Sequence, residues 1–100
     1  MKSFKGKVVL VTGAGSGIGR AIALHFTQLG SELIIVDISK ERLSEVKSEI
    51  ETHGGTVSSY VADVSDFKAM QTMSKKILKG KGVDILINNA GVALGCEYKD

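Results

Sequence analysis

Residues 8–19 read VVLVTGAGSGIG, a run of four apolar residues followed by a glycine-rich loop. The apolar run shows no polar alternation, which is typical of a strand buried on both faces of a sheet. Ile18 opens an apolar pattern at helical spacing, so the loop joins a strand to a helix. Such a loop suits a diphosphate, because glycine lets backbone N–H groups at a helix start approach the ligand closely. We expect Gly13 to form the tight turn, Gly17 to face the pyrophosphate and Gly19 to allow close packing of helix on strand.

The spacing of the glycines restricts the kind of nucleotide loop. The G-x-G-x-x-G fingerprint does not fit, because its last glycine would fall on Ile18, and no Gly-Lys-Ser/Thr follows as a P-loop requires. One register that fits is T-G-x-x-x-G-x-G over residues 12–19. A second is G-x-G-x-G at Gly13, Gly15 and Gly17, which resembles the first motif of S-adenosylmethionine-dependent methyltransferases. A plain glycine-rich turn also stays open at this point.

The rest of the chain continues this alternation of strands and helices. Apolar runs predict three further strands, at residues 33–36, 56–62 and 83–87. Helical patterns predict three helices, which begin near Ile18, Ser39 and Ser65 and end near Gly30, at Gly54-Gly55 and near Gly80. The order β-α-β-α-β-α-β calls for parallel strands joined by right-handed crossovers. We therefore expect a partial Rossmann-like, doubly wound α/β fold with strand order 3-2-1-4, in one domain over residues 1–100.

Apolar positions predict which face of each helix packs on the sheet. For the first helix they are Ile18, Ala21, Ile22, Phe26 and Leu29, and for the second they are Leu43, Val46 and Ile50. For the third helix they are Phe67, Met70, Ile77 and Leu78. Met73 is expected to fill the core or its flank.

Asp37 ends the second predicted strand, 18 residues after the glycine-rich loop. In a dinucleotide-binding fold, a carboxylate at this position accepts both hydroxyls of the adenosine ribose and repels a 2′-phosphate. Ser16 and Ile38 are best placed to offset such a phosphate, and neither is basic. The pattern favours NAD over NADP, although Lys40 and Arg42 lie near enough in sequence to leave NADP open.

Composition excludes several other classes. The 100 residues carry a net charge of +2 with both signs mixed along the chain, which gives no basic patch for nucleic acid. Apolar runs stay far below the roughly 20 residues that span a bilayer. The single cysteine, Cys96, fits a cytoplasmic protein without an internal disulfide. His25 and His53 lie far apart without metal-ligand spacing, so we expect no metal site.

Three motifs resemble those of the short-chain dehydrogenase/reductase family. Residues 12–19 are similar to that family's cofactor loop, and Asp63-Val64 to its adenine-contacting pair. Asn88-Asn89-Ala90-Gly91, after the fourth predicted strand, matches its N-N-A-G motif. The motifs occur in family order and cover most of the chain. The methyltransferase alternative does not account for N-N-A-G.

The resemblance implies a set of cofactor-binding residues. Those along the pyrophosphate and its adjoining ribose would be Gly13, Ser16, Gly17, Ile18 and Gly19. Those at the adenosine end would be Asp37 for the ribose, with Asp63 and Val64 for the adenine edge. Those beside the ribose nearer the nicotinamide would be Asn89, Ala90 and Gly91. Asn88 would tie strands together, and turn or cap roles remain the alternative for each of these Asp and Asn residues.

The same resemblance implies an oxidoreductase that moves hydride between NAD(H) and a small carbonyl or alcohol substrate. Family catalysis uses a serine and a Tyr-x-x-x-Lys pair, whose lysine lowers the pKa of the tyrosine. Here Val64 follows Tyr60 by four residues, and Tyr98 is two residues from the last one, so no such pair occurs. We expect the catalytic residues outside these 100. A non-catalytic NAD-binding module and, remotely, a methyltransferase are the alternatives.

The predicted topology also bears on stability. The strand at 83–87 would be an unpaired apolar edge, and the third helix would cover most of one sheet face alone. We therefore expect these 100 residues to be part of a longer protein, and to be poorly stable or dependent on a partner when they are by themselves. For a full-length protein, the resemblance implies a homo-oligomer.

Overall fold

A computed structural model describes residues 3–80 and 82–89. The strands are β1 (Val8–Thr12), β2 (Glu32–Asp37), β3 (Thr56–Val61) and β4 (Ile85–Asn88). The helices are α1 (Gly17–Gln28), α2 (Lys40–Thr52) and α3 (Phe67–Lys79). None of these three helices is long and apolar enough to cross a membrane.

The four strands form one parallel sheet in the order β3-β2-β1-β4, which confirms the predicted topology. In β1, Val9 pairs with Leu33 of β2 on one side and with Ile85 of β4 on the other. β1 is therefore a central strand, and every strand ends at the same edge of the sheet. Because the chain moves outward from β1 to β2 and crosses back to β4, the loop after β1 lies at the point where the strand order reverses.

Alternate residues of the strands feed two separate cores. The core on the α1 and α2 face contains Val9, Val11, Ala23, Leu33, Ile35, Leu43, Val46 and Ile50, among others. The core on the α3 face contains Val8, Leu10, Ile34, Val36, Met73 and Ile77. Because neighbouring strand residues point to opposite faces, a strand covered on both sides is apolar throughout. The predicted face of α2 is confirmed, and α3 is the one described helix on its side.

The predicted face of α1 is wrong in part. Its buried residues are Gly19 and Ala23, whereas Ile18 and Leu29 are exposed. Small residues let the helix approach the sheet closely. The side of α1 that faces the sheet is therefore the one that carries the small residues and not the one with the largest apolar side chains. Ser16 is the N-cap of α1, and its side chain accepts a hydrogen bond from the N–H of Gly19.

α3 also differs from its prediction. It begins at Phe67 with Asp66 as N-cap, two residues after the predicted start near Ser65. Met73 and Ile77 are buried, while Phe67 and Leu78 are 73% and 74% exposed. Met73 and Ile77 are four residues apart and occupy one stripe, from which Leu78 is rotated by about 100°. A single helix over this face buries only that stripe, so Phe67 and Leu78 do not reach the core.

Replacing Met73 by alanine is expected to lower the free energy of unfolding by about 2 kcal/mol, because it removes a buried side chain and leaves a cavity. Leu78→Ala on the same helix is the matched control, and its cost is expected to stay within about 0.5 kcal/mol because Leu78 is exposed. Urea titration of the protein and both variants measures the difference. Equal costs at the two positions would contradict this orientation of α3.

Candidate functional site

A cleft of about 570 Å³ opens at the edge where the strands end. It is lined by Gly13, Ser16, Gly17, Ile18, Asp37, Ile38, Ala62, Asp63, Val64 and Asn89. These residues come from the segments that follow all four strands. Open parallel sheets bind ligands at this position, outside the carboxyl ends of the strands where the order reverses.

The glycine-rich loop forms the floor of the cleft. Gly13 has φ +64°, a backbone conformation that side chains rarely adopt, and its carbonyl oxygen accepts a hydrogen bond from the N–H of Ser16 at 3.1 Å. Gly17 and Ile18 are the first residues of α1, where N–H groups have no acceptor within the helix. A Cβ placed on Gly17 would meet nothing within 4 Å. The loop therefore leaves open space at the positive end of the helix.

Gly19 has the opposite environment. A Cβ placed there would lie 2.1 Å from the carbonyl oxygen of Gly13 and 2.8 Å from Nδ2 of Asn89. Gly19 is buried behind the loop and does not line the cleft. Its absent side chain is what lets α1 approach the end of β1, as the sequence predicts.

Ser16 and Asn89 hold the loop from within. The hydroxyl of Ser16 donates to the carbonyl oxygen of Gly13 at 2.8 Å and accepts from Nδ2 of Asn89 at 3.1 Å. Nδ2 of Asn89 also donates to that carbonyl oxygen, at 3.2 Å. The proton of the Ser16 hydroxyl is therefore already engaged inside the loop. In this conformation, Ser16 shapes the cleft instead of offering its hydroxyl to a ligand.

Asp37 joins the loop to the second strand. Its Oδ2 accepts a hydrogen bond from the N–H of Gly15 at 2.8 Å, and its Oδ1 accepts from the N–H of Ser39 at 2.9 Å. The residue is buried, yet it lines the cleft. Each carboxylate oxygen has two lone-pair directions, so both can accept a further hydrogen bond. The predicted ribose position is thus compatible with a turn role for the same side chain.

Asp63 and Val64 follow β3 in the chain and line the same cleft as the glycine-rich loop. Oδ1 of Asp63 accepts from both the N–H and the hydroxyl of Ser65, at 2.9 and 2.7 Å. These two hydrogen bonds, the one from the hydroxyl first, hold the pKa of the Asp63 carboxyl below its ordinary value. The carboxylate is therefore charged at neutral pH where it borders the cleft.

Removing the Ser65 hydroxyl by Ser65→Ala is expected to raise the pKa of Asp63 toward its ordinary value, 3.8. Because the pKa is lowered in the folded protein, these bonds contribute stability that is present at neutral pH and lost as the pH falls through the folded pKa. Carboxyl carbon NMR of Asp63 measures the titration. Ser58→Ala, on an exposed position of β3, is the control and should leave the Asp63 curve unchanged. An identical curve for Ser65→Ala would contradict this origin of the shift.

The structure brings eight of the predicted site residues together. Those that line the cleft are Gly13, Ser16, Gly17, Ile18, Asp37, Asp63, Val64 and Asn89. Asn88 lies apart from it, and its Oδ1 accepts from the hydroxyl of Thr12 at 3.0 Å, which ties β4 to β1 as expected. Ala90 and Gly91 fall outside the described residues.

Two lining residues were not in the predicted set, Ile38 and Ala62. Ile38 is 67% exposed. Its place directly after the aspartate that ends β2 could have identified it as a cleft residue from the sequence. Ala62 follows β3, and its N–H donates to the carbonyl oxygen of Asp37 at 3.0 Å. Together with Val64 they give the cleft an apolar wall suited to a flat ring.

A second groove, of about 580 Å³, runs between α3 and β4. Its walls are mainly apolar and include Leu10, Met70, Leu78 and Leu86. It shares only Val64 with the first cleft and contains no residue of the glycine-rich loop. The first cleft therefore remains the candidate site.

Known proteins match this chain along nearly its whole length. The family model described as short chain dehydrogenase matches residues 7–100. The probable oxidoreductase EphD of Mycobacterium tuberculosis is 41% identical over 98 residues, which cover 97% of this chain and 17% of that protein.

Solved structures agree with the sequence match. A metagenomic short-chain oxidoreductase in complex with NADP is 38% identical, with a TM-score of 0.84 over 91% of this chain and 42% of its own. A short chain dehydrogenase/reductase from Burkholderia phymatum in complex with NAD is 35% identical, with a TM-score of 0.79 over 86% of this chain and 31% of its own. The chain thus spans less than half the length of each of these relatives. On its motifs, its fold and these matches, the chain belongs to the short-chain dehydrogenase family.

Proposed function

We propose that the cleft binds a nicotinamide dinucleotide. The observation that carries this proposal is the position of the glycine-rich loop and Asp37 on one cleft, at the reversal point of a parallel sheet. In the proposed arrangement, the pyrophosphate lies over Gly17 and Ile18, where the helix presents N–H groups and positive potential. The adenosine ribose reaches Asp37, and Asp63 and Val64 border the adenine. Asn89, Ala90 and Gly91 pass beside the second ribose.

NAD is the form of the cofactor that we propose. A 2′-phosphate on the adenosine ribose would be repelled by the Asp37 carboxylate. Both oxygens of this carboxylate are held in place by hydrogen bonds from backbone N–H groups. Ile38 beside it offers no charge to compensate. Arg42 is a candidate cation, because its Cβ lies 2.7 Å from the position that a Cβ on Gly15 would take, and Oδ2 of Asp37 lies 2.9 Å from that same position. In our proposal, repulsion of a 2′-phosphate by the fixed Asp37 carboxylate is stronger than its attraction by Arg42, which is exposed to solvent.

The chemistry that we propose is oxidation or reduction of a small alcohol or carbonyl compound. When bound, the nicotinamide ring supplies the hydride acceptor or donor. Residues 1–100 form the cofactor-binding segment of a single domain, and the catalytic serine, tyrosine and lysine lie outside these 100 residues. The described residues bind and orient the cofactor and carry no step of proton transfer. The 100 residues by themselves are inactive, and the full-length protein is a homo-oligomer.

Calorimetric titration of the protein with NADH, NADPH and S-adenosylmethionine tests this proposal. NADH is expected to bind at least about tenfold more tightly than NADPH, a difference of about 1.4 kcal/mol, and S-adenosylmethionine is expected not to bind. Preference for NADPH would refute the choice of cofactor. Binding of S-adenosylmethionine alone would support a methyltransferase and refute the proposed chemistry. Binding of NADH by a full-length protein without any alcohol or carbonyl turnover would support a non-catalytic module.

A further inference from the structure

The Asp37 carboxylate lies between two loops and bonds to both. Oδ2 accepts from the N–H of Gly15, which is 22 residues earlier in the chain, and Oδ1 accepts from the N–H of Ser39 at the start of α2. Hydrogen bonds from backbone N–H groups to a carboxylate are shorter and stronger than neutral ones. The side chain is thus a bridge between the glycine-rich loop and the turn after β2.

Packing at Gly15 shows how closely the loop lies against this bridge. A Cβ on Gly15 would be 2.7 Å from Cβ of Arg42 and 2.9 Å from Oδ2 of Asp37. Any side chain there must push the loop away from the start of α2. Close contact and the hydrogen bond therefore define one position for the middle of the loop.

The other side of the loop is fixed independently. Asn89 bonds to the carbonyl oxygen of Gly13 and to the hydroxyl of Ser16. Asp37 is the side-chain partner that the structure gives to the segment between them, at Gly15. Gly17, which we propose to face the pyrophosphate, follows two residues later. A shift at Gly15 is therefore transmitted directly to the phosphate end of the cleft.

We infer that Asp37 is a positioning residue for the glycine-rich loop, in addition to its proposed contact with the adenosine ribose. This inference rests on the proposed function. Its consequence is that the carboxylate supports binding of the diphosphate, which it does not touch. Replacing Asp37 should then weaken the binding even of nucleotides that lack the ribose hydroxyls. It also follows that removing the carboxylate weakens NAD and NADP alike at the diphosphate, whatever it changes at the 2′-phosphate.

The test compares ADP with 2′,3′-dideoxy-ADP, which lacks the two ribose hydroxyls, on the protein and on Asp37→Asn. An asparagine has one acceptor oxygen and cannot satisfy both N–H groups. Asp37→Asn is expected to weaken both nucleotides by at least about tenfold. NMR titration at millimolar nucleotide keeps weak binding measurable. Equal affinity of the protein and Asp37→Asn for the dideoxy nucleotide would overturn the inference and leave the ribose contact standing.

A second variant changes the loop residue of the contact between Gly15 and Asp37. Gly15→Ala keeps the carboxylate but places a Cβ 2.7 Å from Cβ of Arg42 and 2.9 Å from Oδ2 of Asp37, so the loop must shift. It is expected to weaken binding of dideoxy-ADP as well as of ADP. Asp66→Asn is the matched control for loss of one carboxylate charge, since Asp66 caps α3 away from the cleft and asparagine also caps. A Gly15→Ala variant that binds both nucleotides as the parent protein does would overturn the inference.

The amide of Gly15 gives a readout that needs no ligand. Its exchange with solvent is expected to be at least about tenfold faster in Asp37→Ala, because that side chain has no acceptor for the Gly15 N–H. Unchanged exchange would overturn the inference even where the nucleotide affinities fall. Failure of the parent protein to bind NADH, with a protected Gly15 amide, would instead refute the proposed function alone.

Discussion

Gly19→Ala is expected to lower the free energy of unfolding by about 3 kcal/mol, at the upper end of the usual cost of overpacking. A Cβ at this position would lie 2.1 Å from the carbonyl oxygen of Gly13, which is backbone and part of a tight turn. To relieve this clash, α1 must move away from the end of β1. This movement also breaks the hydrogen bonds of Ser16 and Asn89. Chemical denaturation measures the loss, and NADH binding should be lost with it.

Gly17→Ala is the matched control for this stability prediction. It lies two residues away in the same helix turn, and its Cβ would meet nothing within 4 Å. Its stability is expected to stay within about 1 kcal/mol of the parent protein, because alanine is the better helix former. If Gly19→Ala were as stable as Gly17→Ala, the close approach of α1 to β1 would be wrong.

Gly17→Val is expected to reduce NADH affinity by at least a factor of about 100, or about 2.7 kcal/mol. The open space above Gly17 is the place that we propose for the pyrophosphate, and a branched side chain would fill it and separate the phosphates from the N–H groups of α1. The melting temperature should change by only a few degrees, since nothing within the fold is displaced. Calorimetric titration with NADH gives the affinity.

Gly80→Val is the control for the same exchange of glycine for valine elsewhere. Gly80 follows α3 outside the cleft, and a Cβ there would make only an ordinary contact, 3.6 Å from the carbonyl oxygen of Ile77. Its NADH affinity should equal that of the parent protein. Tight NADH binding by Gly17→Val would place the phosphates somewhere other than the first turn of α1.

The parts of the fold that could be predicted are those fixed by local pattern and connectivity. Unbroken apolar runs at residues 8–11 and 33–36 identify strands covered on both faces, and the structure has these strands at Val8–Thr12 and Glu32–Asp37. Right-handed crossovers then leave few strand orders, and the order 3-2-1-4 is among them. The cap at Ser39 and the buried face of α2 also follow from short-range spacing.

The helix faces that were predicted wrongly depend on tertiary packing. On α1, close contact selects the small residues Gly19 and Ala23, which a count of large apolar side chains overlooks. On α3, the stripe through Met73 is buried because one helix alone spans that face, and Leu78 is left in solvent. Neither choice is visible in the periodicity by itself.

For the candidate site, the positions were predictable but the connections between them were not. The ends of parallel strands must share an edge, so the loop, Asp37 and Asn89 were expected to meet. The hydrogen bonds from the Gly15 N–H to Asp37 and from Asn89 to Ser16 join residues 22 and 73 positions apart. Such long-range bonds depend on side-chain directions that are set only in the folded chain. They show that residues assigned to the ligand also hold the loop in shape.

A crystal structure of the protein with NADH would show directly which cleft holds the dinucleotide. We expect the pyrophosphate against the first turn of α1 at Gly17 and Ile18, with the adenosine ribose hydrogen-bonded to Asp37. We also expect Gly15 to stay bonded to the same carboxylate. A dinucleotide seated in the groove between α3 and β4, with the cleft at the strand ends empty, would contradict the proposed function.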